Sequence, residues 1–424
     1  MRSFLGAPDV LIVGGGPAGA VAGLIAARAG ARVRILERAR FPRDKLCGDT
    51  LNPGALALLR RLGVADPIEA RGLPVDGMIV SGEGGVEIVG RYPRSLQGRA
   101  IVRRELDAIL LQAAIDVGCE VHHAAVRRAV VADDRQSSDG QRVVGVIVDG
   151  AGGARYQRRL DAPVVIGADG RKSVLAFGLG LARHPARPRR WAVGAYLSGV
   201  RPETTSRDDG LGAYPRQFGE MHVRKNCYIG VAPIPGGLTN VCVVREMFGP
   251  DAQFRDPVAV ITKCLQSDPR LRDRFAAATF VAPPVVLGPL AVDANGGTID
   301  GLILAGDAAG FIDPMTGDGL HFAIRGGELA ADAALRVLAN GWDGVHTALA
   351  AARARAFAKK WRFNRVLRAL VASPRAVEAA ALGARIVPGV LRAVIAHAGD
   401  CHVAAGVGSG VRPGVRSGVG SGVR

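Results

Sequence analysis

Apolar and polar positions alternate with two different periods along the chain, and the switches between them mark its elements. Val10 to Val13 is a continuous apolar run, as a parallel strand buried on both faces requires. Ala20 to Ala29 then reads as a helix that stops at Gly30, and Val33 to Leu36 reads as a second apolar strand ending on Glu37. Asn52 to Leu62 predicts a short helix, with Asn52 as its cap, Pro53 at its first position and Gly63 beyond its end. Alternation between Val75 and Tyr92 predicts a strand or hairpin outside this unit. Helical spacing returns from Arg103 to Gly118, and a strand follows at Glu120 to His122. Arg127 to Gly153 reads as a β-meander with a polar tip at Asp133 to Gly140.

Pro163 to Gly170 is a further buried strand running into a turn. From Trp191 to about Pro289, β-branched runs such as Tyr228 to Val231 and Asn240 to Val244 predict an antiparallel sheet. Leu302 to Asp307 is buried-strand sequence again, and a helix follows from Gly317–Leu320 to about Asn340. Ala- and Arg-rich helical segments fill Val345 to His397. The pattern therefore predicts an α/β fold: a Rossmann-type domain interrupted by an inserted antiparallel β-sheet domain and followed by a helical C-terminal region. The nucleotide-binding domain is assigned to 1–75, 99–185 and 295–340, and the β-rich substrate domain to 76–98 and 186–294. The helical region is assigned to 341–404. Residues 405–424 repeat Gly-Val-Arg-like units with little bulk to bury and are expected to be disordered.

Composition narrows the class. A chain of 424 residues, 48% of them hydrophobic, has room for two or three domains and a large core. No stretch reaches the ~18 uninterrupted apolar residues of a membrane span. The apolar N-terminus is broken by three glycines and Pro17 and runs into a strand pattern, so a secretory signal is rejected. Six scattered cysteines without a C-x-x-C pair indicate neither a zinc site nor a redox disulfide, and the default location is the reducing cytoplasm. The net charge is +17, nearly all of it from arginine. Aromatics are 5% of residues and no basic stripe interleaves with them, which excludes nucleic acid as a partner.

The chemistry concentrates first at Gly14-x-Gly16-Pro17-Ala18-Gly19. With this spacing between a strand and a helix, Gly14 makes the tight turn and Gly16 lets backbone approach a pyrophosphate. Gly19 lets helix and strand pack closely. The diphosphate then meets free N–H groups at the positive end of the helix. Glu37, at the tip of the second strand with Arg38 beside it, is positioned to accept hydrogen bonds from ribose hydroxyls. A carboxylate there favours FAD or NAD over NADP.

Two more turns join this one. Gly167-Ala168-Asp169-Gly170 with Ser173, and Gly306-Asp307-Ala308-Ala309-Gly310, complete a set that resembles the FAD-dependent oxidoreductases of the para-hydroxybenzoate hydroxylase fold. That class holds group A flavin monooxygenases, flavin halogenases and geranylgeranyl reductases, and the resemblance spans about residues 9 to 340. Phe41-Pro-Arg-Asp-Lys-Leu-Cys-Gly-Asp49 and Ile312-Asp-Pro-Met-Thr-Gly-Asp-Gly319 are similar to the geranylgeranyl reductase branch. The resemblance implies that Asp307 holds a ribityl hydroxyl, that Gly317, Asp318 and Gly319 face the pyrimidine edge of the isoalloxazine, and that Arg103 and Asp169 contact FAD. It also implies roles near the cofactor for Lys45, Cys47 and Gly48, with Cys47 the candidate catalytic thiol. Read alone, Asp307 caps a helix, Asp169-Gly170 is a plain turn and Cys47 shapes a loop.

Only one dinucleotide fingerprint is present, so NAD(P)H is expected as a transient reductant over the flavin. Where reductases of this branch typically carry Tyr-x-Trp-x-Phe-Pro, this chain has Tyr228-Ile-Gly230-Val-Ala232-Pro233, which reshapes a substrate pocket assigned to Tyr228, Pro233 and Pro314. The halogenase Trp-x-Trp-x-x-Pro element is missing. Two activities stay open. One is double-bond reduction in a bulky apolar, isoprenoid-like substrate. The other is hydroxylation of an aromatic or polyketide-like substrate with O2. The C-terminal helices have two readings as well: a cover packed on the flavin domain, which is preferred, and a peripheral membrane contact admitting lipid.

Overall fold

The computed structural model describes residues 6–46, 49–83, 87–134, 140–150, 153–186, 190–203, 217–246, 255–295, 297–311, 317–371 and 388–402. Cys47, Gly48, Pro314 and the 405–424 tail lie outside the described residues. In chain order the helices are α1 (Pro17–Arg28), α2 (Pro53–Arg61), α3 (Asp66–Arg71), α4 (Arg103–Asp116) and α5 (Val174–Gly178). They continue with α6 (Pro257–Ser267), α7 (Gly319–Asn340), α8 (Val345–Val371) and α9 (Pro388–Ala398). Helix α1 begins three residues before the apolar pattern does, because Pro17 at its first position has the right φ and lacks the N–H that would go unpaired there. Asn52 caps α2 by accepting the Ala55 N–H at 2.8 Å.

A five-stranded parallel sheet forms the first layer, in the order Leu302–Leu304, Val164–Gly167, Val10–Val13, Val33–Glu37, Glu120–His123. Its central strands are buried on both faces, which explains their unbroken apolar sequences. Val10 and Ile12 point into a core shared with α1, α2, α4, α7 and α8. Leu11 and Val13 point the other way, against Val143, Val146 and Val148 of a three-stranded meander. Parallel strands end at a common edge, so the turns after Val13, Glu37, Gly167 and Leu304 all open on one side of the sheet.

The second layer is a larger sheet built on Arg190–Ser198, Leu238–Glu246, Cys227–Ile234 and Phe218–Arg224 in antiparallel order. The hairpin Gly77–Ser81 and Glu87–Arg91 joins it, with Gly77–Ser81 running parallel to Phe218–Arg224. One face packs on α6 through Val193, Leu197, Ile229, Val231, Val241 and Ile261. The opposite face gathers Ala192, Tyr228 and Val244 with Phe311, a residue of the loop after the Leu302–Leu304 strand. The sheet thus turns one face to its own helix and the other to the first domain. Among the described residues no helix is long and apolar enough to cross a membrane.

Candidate flavin site

The three glycine turns meet around the first turn of α1, and missing side chains make the meeting possible. Gly14 has φ 100°, and a Cβ on it would overlap the Ala168 carbonyl and lie 2.9 Å from the Asp169 Cα. The first turn therefore rests backbone on backbone against the second. A Cβ on Gly306 (φ 59°) would lie 2.9 Å from the Ala18 Cβ, and one on Gly327 of α7 would overlap the Ala18 carbonyl. The third turn and α7 are thereby held against the same helix end. Gly16 differs, since the nearest atom to its would-be Cβ is Arg43 Nη2 at 3.6 Å. That opening, beside free N–H groups and under a cation, suits a pyrophosphate.

Glu37 is buried at the rim of this opening. Its Oε2 accepts the Gly15 N–H at 2.8 Å and its Oε1 accepts the Ala39 N–H at 2.9 Å. Each oxygen keeps a lone pair for a ribose hydroxyl. Arg38 beside it and Lys45 in the following loop are exposed. Arg103 is buried and bound in a two-point pair to Asp107, at 2.7 and 2.8 Å, and Arg43 reaches the same carboxylate at 2.9 Å. Asp107, fully buried, thus orients two arginines, of which Arg43 stands over Gly16. Its only sequence signal was the i,i+4 spacing to Arg103.

At the second turn, Asp169 Oδ2 accepts the Val174 N–H at 2.8 Å, while its Oδ1 is buried without a partner. Burial holds this carboxyl above the usual carboxylate range. A buried acceptor left open in this way calls for a donor such as a ligand hydroxyl. Asp307 follows the Leu302–Leu304 strand and lines a cavity of about 50 Å3 with Phe322, Arg353, Phe357, Trp361 and Asn364. Arg353 donates to the Leu304 carbonyl, and burial lowers its pKa to about 10. Gly317 is exposed with φ 68°. Asp318 is almost wholly buried and turns its side chain inward, onto Asn52, Lys360 and Asn364. What α7 presents at its start is backbone N–H.

A second focus lies between the 41–50 loop and the large sheet. Asp49 is buried and accepts the Arg103 N–H at 3.0 Å, the Tyr196 O–H at 3.2 Å and an N–H of Asn240. All three donors favour the anion, yet burial outweighs them and pushes the pKa up to about 6. Tyr196 pairs across the sheet with Asn240, and Asn240 with Ala232. The neighbouring row is Gly194, Cys242 and Gly230. Leu46 of the loop sits over Gly194. By strand alternation, Tyr228, Gly230 and Ala232 share this loop-facing side, while Pro233 falls on the other. No local pattern marks Asp49, whose side-chain partners stand 147 and 191 residues away.

A parallel sheet whose glycine turns converge on one helix end, with an acid at the tip of its second strand, defines a dinucleotide-dependent oxidoreductase frame. The open Gly16 side, the buried Glu37 carboxylate at its rim and the orphaned Asp169 oxygen fit FAD. The chain belongs to the FAD binding domain family, whose model matches residues 7–282. It is 32% identical to a menaquinone reductase of Mycobacterium tuberculosis over 76% of each chain. It is 28% identical to digeranylgeranylglycerophospholipid reductase 2 of Methanopyrus kandleri over 78% of this chain and 77% of that one. Among solved structures it resembles the flavin-dependent brominase Bmp2, with TM-score 0.77 at 20% identity over 93% and 94% of the two chains. It also resembles a geranylgeranyl bacteriochlorophyll reductase-like protein of Thermoplasma acidophilum, with TM-score 0.70 at 21% identity over 88% and 89%. The protein is an FAD-dependent oxidoreductase with geranylgeranyl and menaquinone reductases among its relatives.

Proposed function

We propose that this enzyme saturates a carbon–carbon double bond in a bulky isoprenoid substrate, with NAD(P)H as the source of electrons. The observation that carries the reading is the sheet face toward the 41–50 loop. The row of small residues Gly194, Cys242 and Gly230 runs there between the rows that carry Tyr196 and Tyr228, so the floor has a strip without bulky side chains. A Cβ on Gly230 would meet nothing nearer than the Cys242 carbonyl at 3.8 Å. A long apolar chain suits such a floor better than a small polar ring does. The names of the reductases similar to this chain, acting on menaquinone and on digeranylgeranyl lipid, point the same way.

Saturation adds a hydride to one alkene carbon and a proton to the other. FAD, once bound and reduced, supplies the hydride. The chain's own part is to bind the apolar substrate away from water, orient the double bond and hold the proton. Asp49 takes up a proton at the margin of this face as pH falls through about 6, well above the usual carboxylate range, because burial disfavours its anion. Cys47, two residues earlier in the same loop, is the candidate to deliver a proton to carbon.

The test reduces the purified holoenzyme with NADPH or NADH under anaerobic conditions and then adds a geranylgeranyl lipid or a polyprenyl quinone. Reoxidation that needs substrate but no O2, with a product two hydrogens heavier, supports the proposal. Turnover that needs O2 and yields a product one oxygen heavier from phenols overturns it.

A further inference from the structure

Beneath the start of α7 lies a buried ion cluster assembled from four parts of the chain. Lys360 Nζ of α8 stands 3.0 Å from Asp318 Oδ1 and 3.0 Å from Asp400 Oδ2, and donates to the carbonyls of His397 and Ala398, each at 2.7 Å. Asn52, the cap of α2, donates to Asp318 at 3.2 Å and to Asp400 at 3.1 Å. Asn364 donates to the other Asp318 oxygen at 3.2 Å. Lys360, Asp318 and Asp400 are 3%, 1% and 4% exposed. Two carboxylates and one ammonium leave one net negative charge, and burial keeps the adjacent His321 below its usual pKa, hence uncharged.

Such a cluster is a poor device for stability alone. Desolvating three ions costs several kcal/mol each before their attraction returns it, and apolar side chains of similar volume often do as well. Two details point to a particular use. The chain carries its positive charge almost entirely as arginine, yet here it uses lysine, whose compact ammonium can meet four acceptors converging on one nitrogen. The face of α8 that holds Lys360 also holds Arg353, Phe357, Trp361 and Asn364, at helical spacing, against the Asp307 turn. The Oδ1 of Asn364 and the Nδ1 of His321 are buried there without a hydrogen-bond partner.

We propose that Lys360 and Asp400 are positioning residues that set the charge behind the N-terminus of α7 and thereby tune the electron affinity of the bound flavin. The inference rests on the reading that the pyrimidine edge of FAD faces the first N–H groups of α7. Reduced flavin carries negative charge at that edge, so it responds to the helix end and to the fixed charges beneath it. The C-terminal turn at Asp400, outside the segment that the family model matches, is then part of the cofactor's electrostatic environment.

The experiment measures the midpoint potential of FAD in the holoenzyme by dye-coupled reduction without substrate, together with FAD affinity and melting temperature. Asp400→Asn removes a negative charge and should raise the ratio of reduced to oxidised FAD affinity about tenfold, moving the potential upward. Lys360→Met removes the cation and should move it downward, while Lys360→Arg should retain more of the wild-type value. Opposite shifts support charge tuning. Shifts of the same sign, or an unmoved potential with a lower melting temperature, overturn it and leave the cluster a structural clasp. Should Lys360→Met fail to fold, the sign of the Asp400→Asn shift decides alone. A wild-type protein that binds no FAD overturns the flavin reading itself.

Discussion

The crossing of the glycine turns and the ion cluster beneath α7 are built on different principles. At the crossing, backbone lies against backbone, and Gly14, Gly19 and Gly306 work by lacking a side chain. Spacing within a dozen residues carries most of that information. In the cluster, Asn52, Asp318, Lys360 and Asp400 act through side chains up to 348 positions apart, as in the Asn52–Asp400 contact. No local pattern announces it. A site made from absent side chains tolerates almost no substitution. One made from side chains tolerates exchanges that keep charge and shape.

The comparison is tested most severely at Gly14. Alanine there would need φ near 100° and would overlap the Ala168 carbonyl. Strain and displacement together should cost about 3–5 kcal/mol and abolish FAD binding, read as a colourless preparation with a lowered melting temperature. Retained flavin and unchanged stability would mean that the two turns do not touch.

Asp49 gives an intermediate effect and a definite sign. Its folded pKa is raised from 3.8 to about 6, so folding favours the protonated form. The stability it contributes is complete below about pH 4 and is lost as pH rises through about 6, by an amount on the order of 3 kcal/mol. Asp49→Asn should remove that loss, so the melting temperature of wild type should fall relative to the variant between pH 4 and 6. A wild-type protein that gains on the variant across this range would show that the three donors to Asp49 outweigh its burial.

The smallest effect on stability is expected at Gly230. Tryptophan on this open floor should change stability by no more than about 1 kcal/mol and leave FAD content intact. It should still abolish reoxidation by long isoprenoid substrates. Unchanged turnover would move the substrate to another face.

Much of the frame was legible beforehand because it is written in short periods. The apolar run Val10–Val13, the glycine spacing, the acid at Glu37 and the cap at Asn52 each follow from residues within a turn or a strand of one another. Glu37 shows where this stops. Its place at the strand tip was readable, but its grip on the Gly15 and Ala39 N–H groups required coordinates. Arg103 is similar: its burial was not visible in the sequence, and neither was Arg43 sharing Asp107 with it. Nor does alternation from Val75 to Tyr92 say which strand will lie beside it, and the parallel pairing with Phe218–Arg224 is settled across the whole domain.

The amino-acid sequence by itself determined the parallel flavin sheet, the positions of the three glycine turns and the class of cofactor, because steric and periodic constraints act between near neighbours. Only the tertiary structure decided that Asp49 joins two domains, that Asp318 turns inward to Lys360, and that α8 and Asp400 close beneath α7. Those arrangements depend on burial, which raises or lowers the charge of a group according to everything packed around it. Burial is a property of the assembled volume, and no segment of the chain possesses it alone.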